Sequence, residues 1–292
     1  MLKASCEVLN PVSGQSFLLR RFNKTAFDVP YHFHEEYELT TILKGRGKRF
    51  IGHHMSNYEE GDLVLLGQRL PHCWKLEQEK SAAGGGSAIV VQFTKDFMGE
   101  NFFDKTEFSN IKTMLQNSRS GIAFNENTQQ MIQQQLIKLT EQPNNFRIFI
   151  GLMDILQSLA VSTDYILLDK QNTIAERSSL DQERINAVYT YLVENFREQV
   201  SLEKAAAIAH ITPSAFCKYF KKITRKTFME TVISYRINYA IQQLVQTDKS
   251  ISDISFDSGF GDVSHFYKMF RLKMKMSPLH YRKRFINNIE HN

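Results

Sequence analysis

The stretch HFHEEYELTTILKG, residues 32–45, contains two histidines one residue apart and a glutamate four residues beyond the second. On a β-strand, His32 and His34 would point to the same face, because side chains alternate between the two faces. Two imidazoles and the nearby carboxylate of Glu38 are suitable ligands for a transition metal. The pattern therefore predicts either a metalloenzyme or a related fold that uses these side chains for another purpose.

The sequence around these residues has the texture of a β domain. From residue 1 to about residue 95, short β-like runs such as ELTTILKGRGKRF and EEGDLVLLGQRLPHCW alternate with turn signals, and a GGG tip precedes SAIVVQF. We therefore expect an antiparallel β domain that positions the histidines. From Asn127 onward the pattern becomes helical.

The segment FIGLMDILQSLA has two apolar stripes at helical spacing. One stripe comprises Phe149, Leu152, Met153, Leu156 and Ala160, and the other comprises Ile148, Ile155 and Leu159. A helix that is apolar on two sides needs two partners. We expect these to be the β domain and a second subunit, so the segment predicts a homodimer joined by helices between residues 127 and 165. Ile155 and Leu159 would lie on the outer face.

Bulk composition narrows the class of protein. The 292 residues suffice for two domains, and a mean hydropathy of −0.34 is typical of a soluble globular protein. No leader pattern opens the chain and no apolar run could span a bilayer, so we expect a cytoplasmic protein without a membrane partner. Cys6, Cys73 and Cys217 are scattered and odd in number, so they indicate neither a disulfide framework nor a CxxC metal site.

Positive charge is concentrated near the C-terminus. From Asp181 onward there are 17 Lys and Arg against 11 Asp and Glu, whereas the first 180 residues hold 19 against 20. A basic domain beside a neutral one favours a polyanionic partner. A solvated positive face with no partner would give the same count.

The basic region contains an internal repeat. FCKYFKK at 216–222 recurs as FYKMFRL at 266–272, and a short helical pattern precedes each copy, LEKAAAIA from Leu202 and ISDISFDS from Ile251. Each unit is therefore predicted to be a helix-turn-helix, with Lys218 and Lys268 at equivalent positions. A match that occurs twice at fixed separation in a basic region predicts DNA binding.

Local signals support both units and the helix between them. Thr212 followed by Pro213 predicts a helix N-terminus, and Asp262 can cap the corresponding helix of the second unit. Thr227 and Glu230 predict a capping box at the start of one long helix, TFMETVISYRINYAIQQLVQ, which would set the spacing of the units.

Residues 181–285 resemble the DNA-binding domain of the AraC family of bacterial transcriptional regulators. The resemblance rests on SLEKAAAIAHITPSAFCKYFKK, SISDISFDSGFGDVSHFYKMF and SPLHYRK. The family usually has a glycine near Arg225 and near Lys275, where a helix ends. A non-glycine residue in the left-handed conformation costs about 1 kcal/mol there, and a positive side chain recovers part of it through the helix dipole.

The resemblance implies that the second helix of each unit enters the DNA major groove. The positions that match base-reading residues of the family are Ser214, Cys217, Lys218, Ser264, His265 and Lys268. Phosphate contacts are expected from Lys221, Lys222, Arg225 and Arg271.

The opening stretch is similar to the first motif of the cupin barrels, through His32, His34, Glu38 and Gly45. Gly61 and His72 fit the second motif only in part, because Gly67 and Arg69 stand where its proline and inner glycine are expected. AraC-type regulators commonly carry a cupin-like barrel that binds a small organic effector. His32, His34, Glu38 and His72 could then hold a divalent metal, contact an organic ligand together with Trp74, or pack as hydrogen-bonded residues.

These observations predict a two-domain α+β protein that regulates transcription and is not an enzyme. A cupin-like antiparallel β-barrel with dimerisation helices would span residues 1–167, a linker 168–180, and an all-α domain with two helix-turn-helix units 181–292. No cofactor would be required. The partners would be double-stranded DNA, a small effector such as a sugar or an aromatic acid, a second subunit, and RNA polymerase if the protein is an activator. The alternatives are a cupin metalloenzyme of the dioxygenase or isomerase type fused to a DNA-binding module, and an interaction protein regulated without a small ligand.

Overall fold

The computed structural model describes residues 16–22, 31–52, 54–76, 85–169 and 179–289. The chain divides into two compact units between residues 177 and 178. Most of the predicted linker, residues 170–178, lies outside the described residues. Its first two residues, Leu168 and Asp169, are buried, and their backbone N–H groups donate to Gly121 and Ser120 of the N-terminal unit.

The N-terminal unit contains nine described strands in two antiparallel sheets. The strands are β1 (Leu18–Phe22), β2 (Tyr37–Lys44), β3 (Gly47–Ile51), β4 (His54–Tyr58), β5 (Leu63–Leu66), β6 (His72–Leu76), β7 (Ser87–Phe93), β8 (Ile122–Phe124) and β9 (Tyr165–Leu167). The larger sheet has the order β1-β7-β2-β5-β8-β9 and the smaller sheet has the order β4-β3-β6. Among the described residues, the ladders remain two separate sheets and do not close into one barrel.

Alternating side chains give the larger sheet two apolar faces. On β2, Leu39 packs into the core that the helices share, whereas Ile42 packs against residues of the smaller sheet such as Ile51 and Trp74. Both faces are buried because each is covered by another layer, which explains the continuous apolar runs of β5 and β7. The predicted antiparallel β domain with associated helices is confirmed.

Three helices cover the outer face of the larger sheet: α1 (Ser109–Asn117), α2 (Glu126–Thr140) and α3 (Asn145–Val161). Helix α3 contains the segment with two apolar stripes. Ile155 and Leu159 are each 1% exposed and lie in the same core as Leu152 and Leu156, so their predicted place on the outer face was wrong. The physical reason is that α3 packs against α1, α2 and the sheet at once, which buries Ile155 and Leu159 within the unit.

The C-terminal unit is all-helical in its described part. It comprises α4 (Ser179–Asn195), α5 (Leu202–Ile208), α6 (Pro213–Thr224), α7 (Phe228–Gln246), α8 (Ile251–Asp257), α9 (Val263–Met274) and α10 (Pro278–Ile289). Helices α5 and α6 form the first helix-turn-helix unit, α8 and α9 form the second, and α7 joins them. The predicted repeat and its connecting helix are confirmed.

The predicted caps are confirmed as well. The Thr212 side chain accepts a hydrogen bond from the backbone N–H of Ala215, and Asp262 accepts from Ser264 and His265. Thr227 and Glu230 form the complete capping box. These bonds satisfy N–H groups that the first turn of a helix cannot pair internally.

Each helix-turn-helix unit has an aromatic core. Phe216 and Phe220 of α6 are fully buried, as are the small residues Ala205, Ala206 and Ala209 of the α5 segment that packs against it. Phe266 and Phe270 of α9 fill the equivalent places in the second unit. In the described part of the chain, no helix is both long and apolar enough to cross a membrane.

Candidate nucleic-acid interface and candidate ligand site

Helix α6 has one buried side and one exposed side. Phe216 and Phe220 anchor the buried side, whereas Ser214, Cys217 and Lys218 are all exposed. Positions 214, 217 and 218 lie on adjacent parts of a helix surface because they are three and four residues apart. The expected base-reading residues of the first unit therefore lie together on one accessible face.

Helix α9 repeats this arrangement. Ser264, His265 and Lys268 are exposed, and the His265 ring lies edge-on to Phe260 with the ring centroids 5.8 Å apart. Because the Asp262 carboxylate accepts from the backbone N–H of both Ser264 and His265, the start of the helix is fixed where these side chains emerge. The two helices thus offer exposed faces of matching design.

The expected phosphate contacts lie toward the C-terminal ends of α6 and α9. They are all exposed: Lys221, Lys222, Arg225 and Arg271. Arg225 has the left-handed conformation with φ 61°, and its backbone N–H donates to Lys221 at 3.0 Å, so it ends α6 in the place where a glycine was expected.

One further basic residue, Lys275, stands at the equivalent place of the second unit but was not among the expected phosphate contacts. Lys275 is exposed, has φ 60°, and ends α9 as Arg225 ends α6. The repeat offset of 50 between Phe216 and Phe266 would have identified it, because Lys275 is 50 residues beyond Arg225. Leu272 occupies the place of Lys222, so the two units do not carry identical charges.

The histidines of the opening motif converge in the N-terminal unit. One nitrogen each from His32, His34 and His72 lies within 4.8 Å of the others, and all three side chains are buried. A β-bridge between His32 and His72 holds two of them together, with reciprocal backbone hydrogen bonds of 3.0 and 2.8 Å. Residues 40 positions apart in the sequence are therefore neighbours, as the motif predicted.

Glu38 joins this cluster through its two carboxylate oxygens. Oε2 lies 2.9 Å from His34 Nε2 and accepts from Gln92 Nε2 at 2.7 Å, and Oε1 accepts from Thr40 at 2.7 Å. His72 Nε2 is 3.7 Å from Oε2, which is too long for a hydrogen bond. Gln92 was not predicted from the sequence, because only the pairing of β2 with β7 places it opposite Glu38.

The electrostatics of Glu38 follow from these neighbours. Burial alone would raise the pKa of its carboxyl group, but the facing imidazoles of His72 and His34 hold the pKa well below its usual range. His34 Nδ1 lies 3.2 Å from the Glu36 carbonyl oxygen, so both of its ring nitrogens face oxygen acceptors.

Three buried polar atoms at this site have no hydrogen-bond partner among the described residues. They are His72 Nε2, Trp74 Nε1 and Gln92 Oε1. His72 Nδ1 lies 2.7 Å from the Leu70 carbonyl oxygen and donates to it, which leaves Nε2 for a bound molecule. Trp74 lies on the same face of β6 as His72, with ring centroids 5.6 Å apart. The Trp74 donor, the Gln92 acceptor and the His72 nitrogen are thus available to a bound molecule.

The three histidines also fit a divalent metal in residue type. Bonds of 2.0–2.1 Å to each imidazole require nitrogens about 3.3 Å apart, so the cluster would have to contract slightly. A ligating imidazole must be neutral, so each of the three rings would bind the ion in its neutral form. Such an ion would be held by His32, His34 and His72, while Glu38 orients His34.

Comparisons with known proteins match either part of the C-terminal unit or most of the chain. A helix-turn-helix domain family matches residues 205–284, which includes α6 and α9. The HTH-type transcriptional regulator YdeC of Bacillus subtilis is 22% identical over 258 residues, which cover 87% of this chain and 86% of that protein. Residues 205–284 thus match a helix-turn-helix domain, and most of the chain is similar to an HTH-type transcriptional regulator.

Two further comparisons differ in how much of the chain they cover. AdaA of Bacillus subtilis, named as a bifunctional transcriptional activator and DNA repair enzyme, is 32% identical over 103 residues, or 35% of this chain and 49% of that protein. The solved structure of a variant of apo ToxT from Vibrio cholerae is 17% identical, covers 92% of this chain and 97% of that chain, and has a TM-score of 0.35.

Proposed function

We propose that this chain is an AraC-type transcriptional regulator that reads specific sequences in double-stranded DNA through the exposed faces of α6 and α9. The observation that carries the proposal is the repetition of one design: Lys218 and Lys268 emerge from equivalent places on two capped helices of one basic unit. Lysine can donate to the O6 and N7 atoms of guanine, whereas serine and histidine pair with several base edges. The basic residues near the helix ends would meet phosphates and set the register.

The N-terminal unit would bind the small molecule that controls this activity. The unpartnered atoms of His72, Trp74 and Gln92 are buried together, and a buried polar atom without a partner carries an unfavourable free energy that a ligand can relieve. A neutral polar molecule with hydroxyl groups, such as a sugar, or an aromatic acid stacked against Trp74, fits this set. Binding would shift the equilibrium between states of the regulator that differ in affinity for DNA.

A divalent metal is the second candidate for the same site, because three imidazole nitrogens lie within 4.8 Å of one another. Either occupant would make the N-terminal unit a sensor, and we propose no enzymatic reaction there. Elemental analysis of the purified protein separates the two occupants, since stoichiometric iron, manganese, nickel or zinc supports the metal.

The regulator is proposed to act as a homodimer in the cytoplasm, with RNA polymerase as a further partner if it activates transcription. One side of helix α3 stays exposed while residues of its two apolar stripes pack in or against the core. This exposed side supports the proposal of a dimer. Phe146, Ile150 and Val161 lie on that side and are 67%, 38% and 55% exposed.

Selection of binding sites from random DNA by the full chain tests the DNA-reading proposal. We expect a defined consensus, and an affinity that falls steeply with added salt because several basic residues displace counterions from phosphates. Binding that does not change with salt, or selected DNA without a consensus, would contradict the proposal. Thermal-shift screening with sugars, aromatic acids and divalent metals then tests the ligand site, with His72→Ala as the variant expected to lose the shift.

A further inference from the structure

The turns of the two helix-turn-helix units share a backbone conformation but differ in residue type. His210 in the first turn has φ 56°, and Gly259 at the equivalent place of the second turn has φ 87°. The His210 side chain is exposed. A left-handed backbone therefore does not by itself require glycine at this place in the chain, even though it favours one.

Gly259 has a steric reason of its own. A Cβ atom on Gly259 would lie 2.6 Å from the carbonyl oxygen of Arg197 and 2.8 Å from both its carbonyl carbon and its Cα. These are rigid backbone atoms, so the clash could not be relieved by rotating a side chain. Arg197 lies between α4 and α5, at the entry to the first unit. The second turn therefore rests directly on the backbone that leads into the first unit.

Arg197 strengthens this contact with its side chain. Its Nε donates to the carbonyl oxygen of Asp257 at 2.8 Å, which is the last residue of α8. That carbonyl is one of the groups that a helix end leaves without an internal partner. The guanidinium carbon of Arg197 also lies 4.6 Å from the ring centroid of Tyr239 in α7. The segment that leads into the first unit, the connecting helix and the second unit thus meet at one side chain.

Arg236 of α7 makes a second set of bonds at the same place. Its Nε donates to the carbonyl oxygen of Phe196 and its Nη2 to that of Glu198, each at 2.7 Å. Its guanidinium carbon lies 5.8 Å from the ring centroid of Phe260, which is 2% exposed. The planar guanidinium group of Arg236 therefore binds the segment before the first unit and also faces the turn of the second unit.

We propose that this junction, residues 196–198 against residues 257–260 with Arg236 between them, sets the spacing and orientation of α6 and α9. The proposal rests on the proposed function, in which both helices read DNA. Two reading helices bind strongly as a pair only when their separation matches that of their DNA elements. A rigid junction removes the conformational freedom that would otherwise oppose simultaneous binding. Gly259, Arg197 and Arg236 are thus positioning residues that touch no base.

The test compares Gly259→Ala with His210→Ala, which changes the equivalent exposed residue of the first turn. Operators are first selected from random DNA with the unmodified full chain. Affinity is then measured for the selected operator, for versions with one or two base pairs inserted between its two elements, and for versions with either element scrambled.

We expect Gly259→Ala to lose roughly tenfold or more in affinity for the selected operator and to keep the affinity of the unmodified chain for both scrambled versions. The preference for the selected spacing over the inserted ones should fall, whereas His210→Ala should leave that preference unchanged. An equal loss on all operators, or an unchanged spacing preference, would overturn the proposal.

A side-chain variant guards against misfolding of Gly259→Ala. Arg236→Lys keeps the positive charge but cannot form the fork to two carbonyl groups, so it should also weaken the spacing preference. If Arg236→Lys folds and retains the full preference, the junction does not set the spacing. If the unmodified chain binds its consensus without any spacing preference, the proposed role of the junction is overturned and the proposed function stands. If the unmodified chain selects no consensus, the proposed function itself is overturned.

Discussion

At the scale of single residues, Lys218 and Lys222 allow base reading to be separated from phosphate binding. Both are exposed on α6, one helical turn apart, and Lys218 is nearer the N-terminal end that is expected to enter the groove. Lys218→Ala should cost roughly 1–3 kcal/mol on the consensus operator and relax the preference at one base position. Lys222→Ala should weaken binding to all sequences about equally, because phosphate carries no sequence information.

Binding-site selection with each of these variants checks the assignment. Lys268→Ala should behave like Lys218→Ala at a different base position, since it is the equivalent residue of α9. Identical selected profiles for Lys218→Ala, Lys222→Ala and Lys268→Ala would show that the base-reading assignment is wrong.

His54 gives the N-terminal unit a predictable dependence on pH. Burial, together with the nearby charge of Arg49, lowers the pKa of His54 to about 4, against a smaller opposing effect of Asp169. In the unfolded chain the pKa of His54 is near 6.5. Between that pH and about pH 4, His54 therefore binds a proton in the unfolded state but not in the folded state. The stability contributed by neutral His54 is complete above pH 6.5 and is lost as the pH falls toward 4. The loss should reach about 2 kcal/mol at about pH 5.

Urea unfolding at neutral and mildly acidic pH, with His54→Gln as the comparison, measures this effect. Glutamine cannot titrate, so the variant should lose less stability than the unmodified chain over the same interval. Parallel losses in the two proteins would show that His54 does not contribute to the acid dependence.

At the scale of elements, α3 separates a surface effect from a core effect. Ile150 is 38% exposed and Ile155 is 1% exposed, although both belong to the same helix. Ile150→Glu should give a soluble monomer. The new charge would stay exposed in the folded monomer, so the fold is retained, but it would be buried in the proposed dimer surface and oppose association. Ile155→Glu should destabilise the fold by more than about 3 kcal/mol, because it buries an unpaired carboxylate.

Light scattering and urea unfolding of the two variants distinguish these outcomes. A monomeric unmodified chain at micromolar concentration would contradict the dimer. A stable, monomeric Ile155→Glu variant would contradict the burial of the second stripe.

The elements differ in how far they could be predicted. The helices of the C-terminal unit follow from local signals, such as the Thr227 and Glu230 capping box, because the partners of those bonds are a few residues apart. The two stripes of α3 correctly indicated a helix with two apolar sides. Periodicity could not identify what covers each side, because packing of α3 against α1, α2 and the sheet depends on contacts distant in sequence.

The candidate ligand site shows the same limit. His32, His34 and Glu38 were identifiable because they lie within seven residues on one local pattern. Gln92 joins them only through the pairing of β7 with β2, and an amide carries no recognisable motif. The unpartnered nitrogen of His72 likewise appears only when the Leu70 carbonyl oxygen is seen beside the other ring nitrogen.

At the scale of the whole molecule, a ligand in the N-terminal unit can control DNA binding only if the two equilibria are coupled. Couplings between sites typically amount to roughly 1–3 kcal/mol. His34→Ala or Glu38→Ala should change the effect of ligand on operator affinity by about that amount, because these residues organise the ligand site. Operator affinity without ligand should stay within about twofold of the unmodified value, since neither residue lies in the DNA-binding unit. Lys44→Ala is the matched control, because Lys44 is exposed and lies on β2, the strand that contains Glu38.

Reciprocity supplies an internal check on this coupling. If ligand changes operator affinity by some factor, operator must change ligand affinity by the same factor, because both describe one thermodynamic cycle. Both factors can be measured by titration in the unmodified chain and in His34→Ala, with the compound or metal that gives the largest thermal shift. We expect the two factors to agree within each protein and to fall together in the variant. A variant that binds ligand normally and keeps the full effect on operator affinity would remove His34 from the sensing site, while the DNA-reading role of α6 and α9 would stand unaffected.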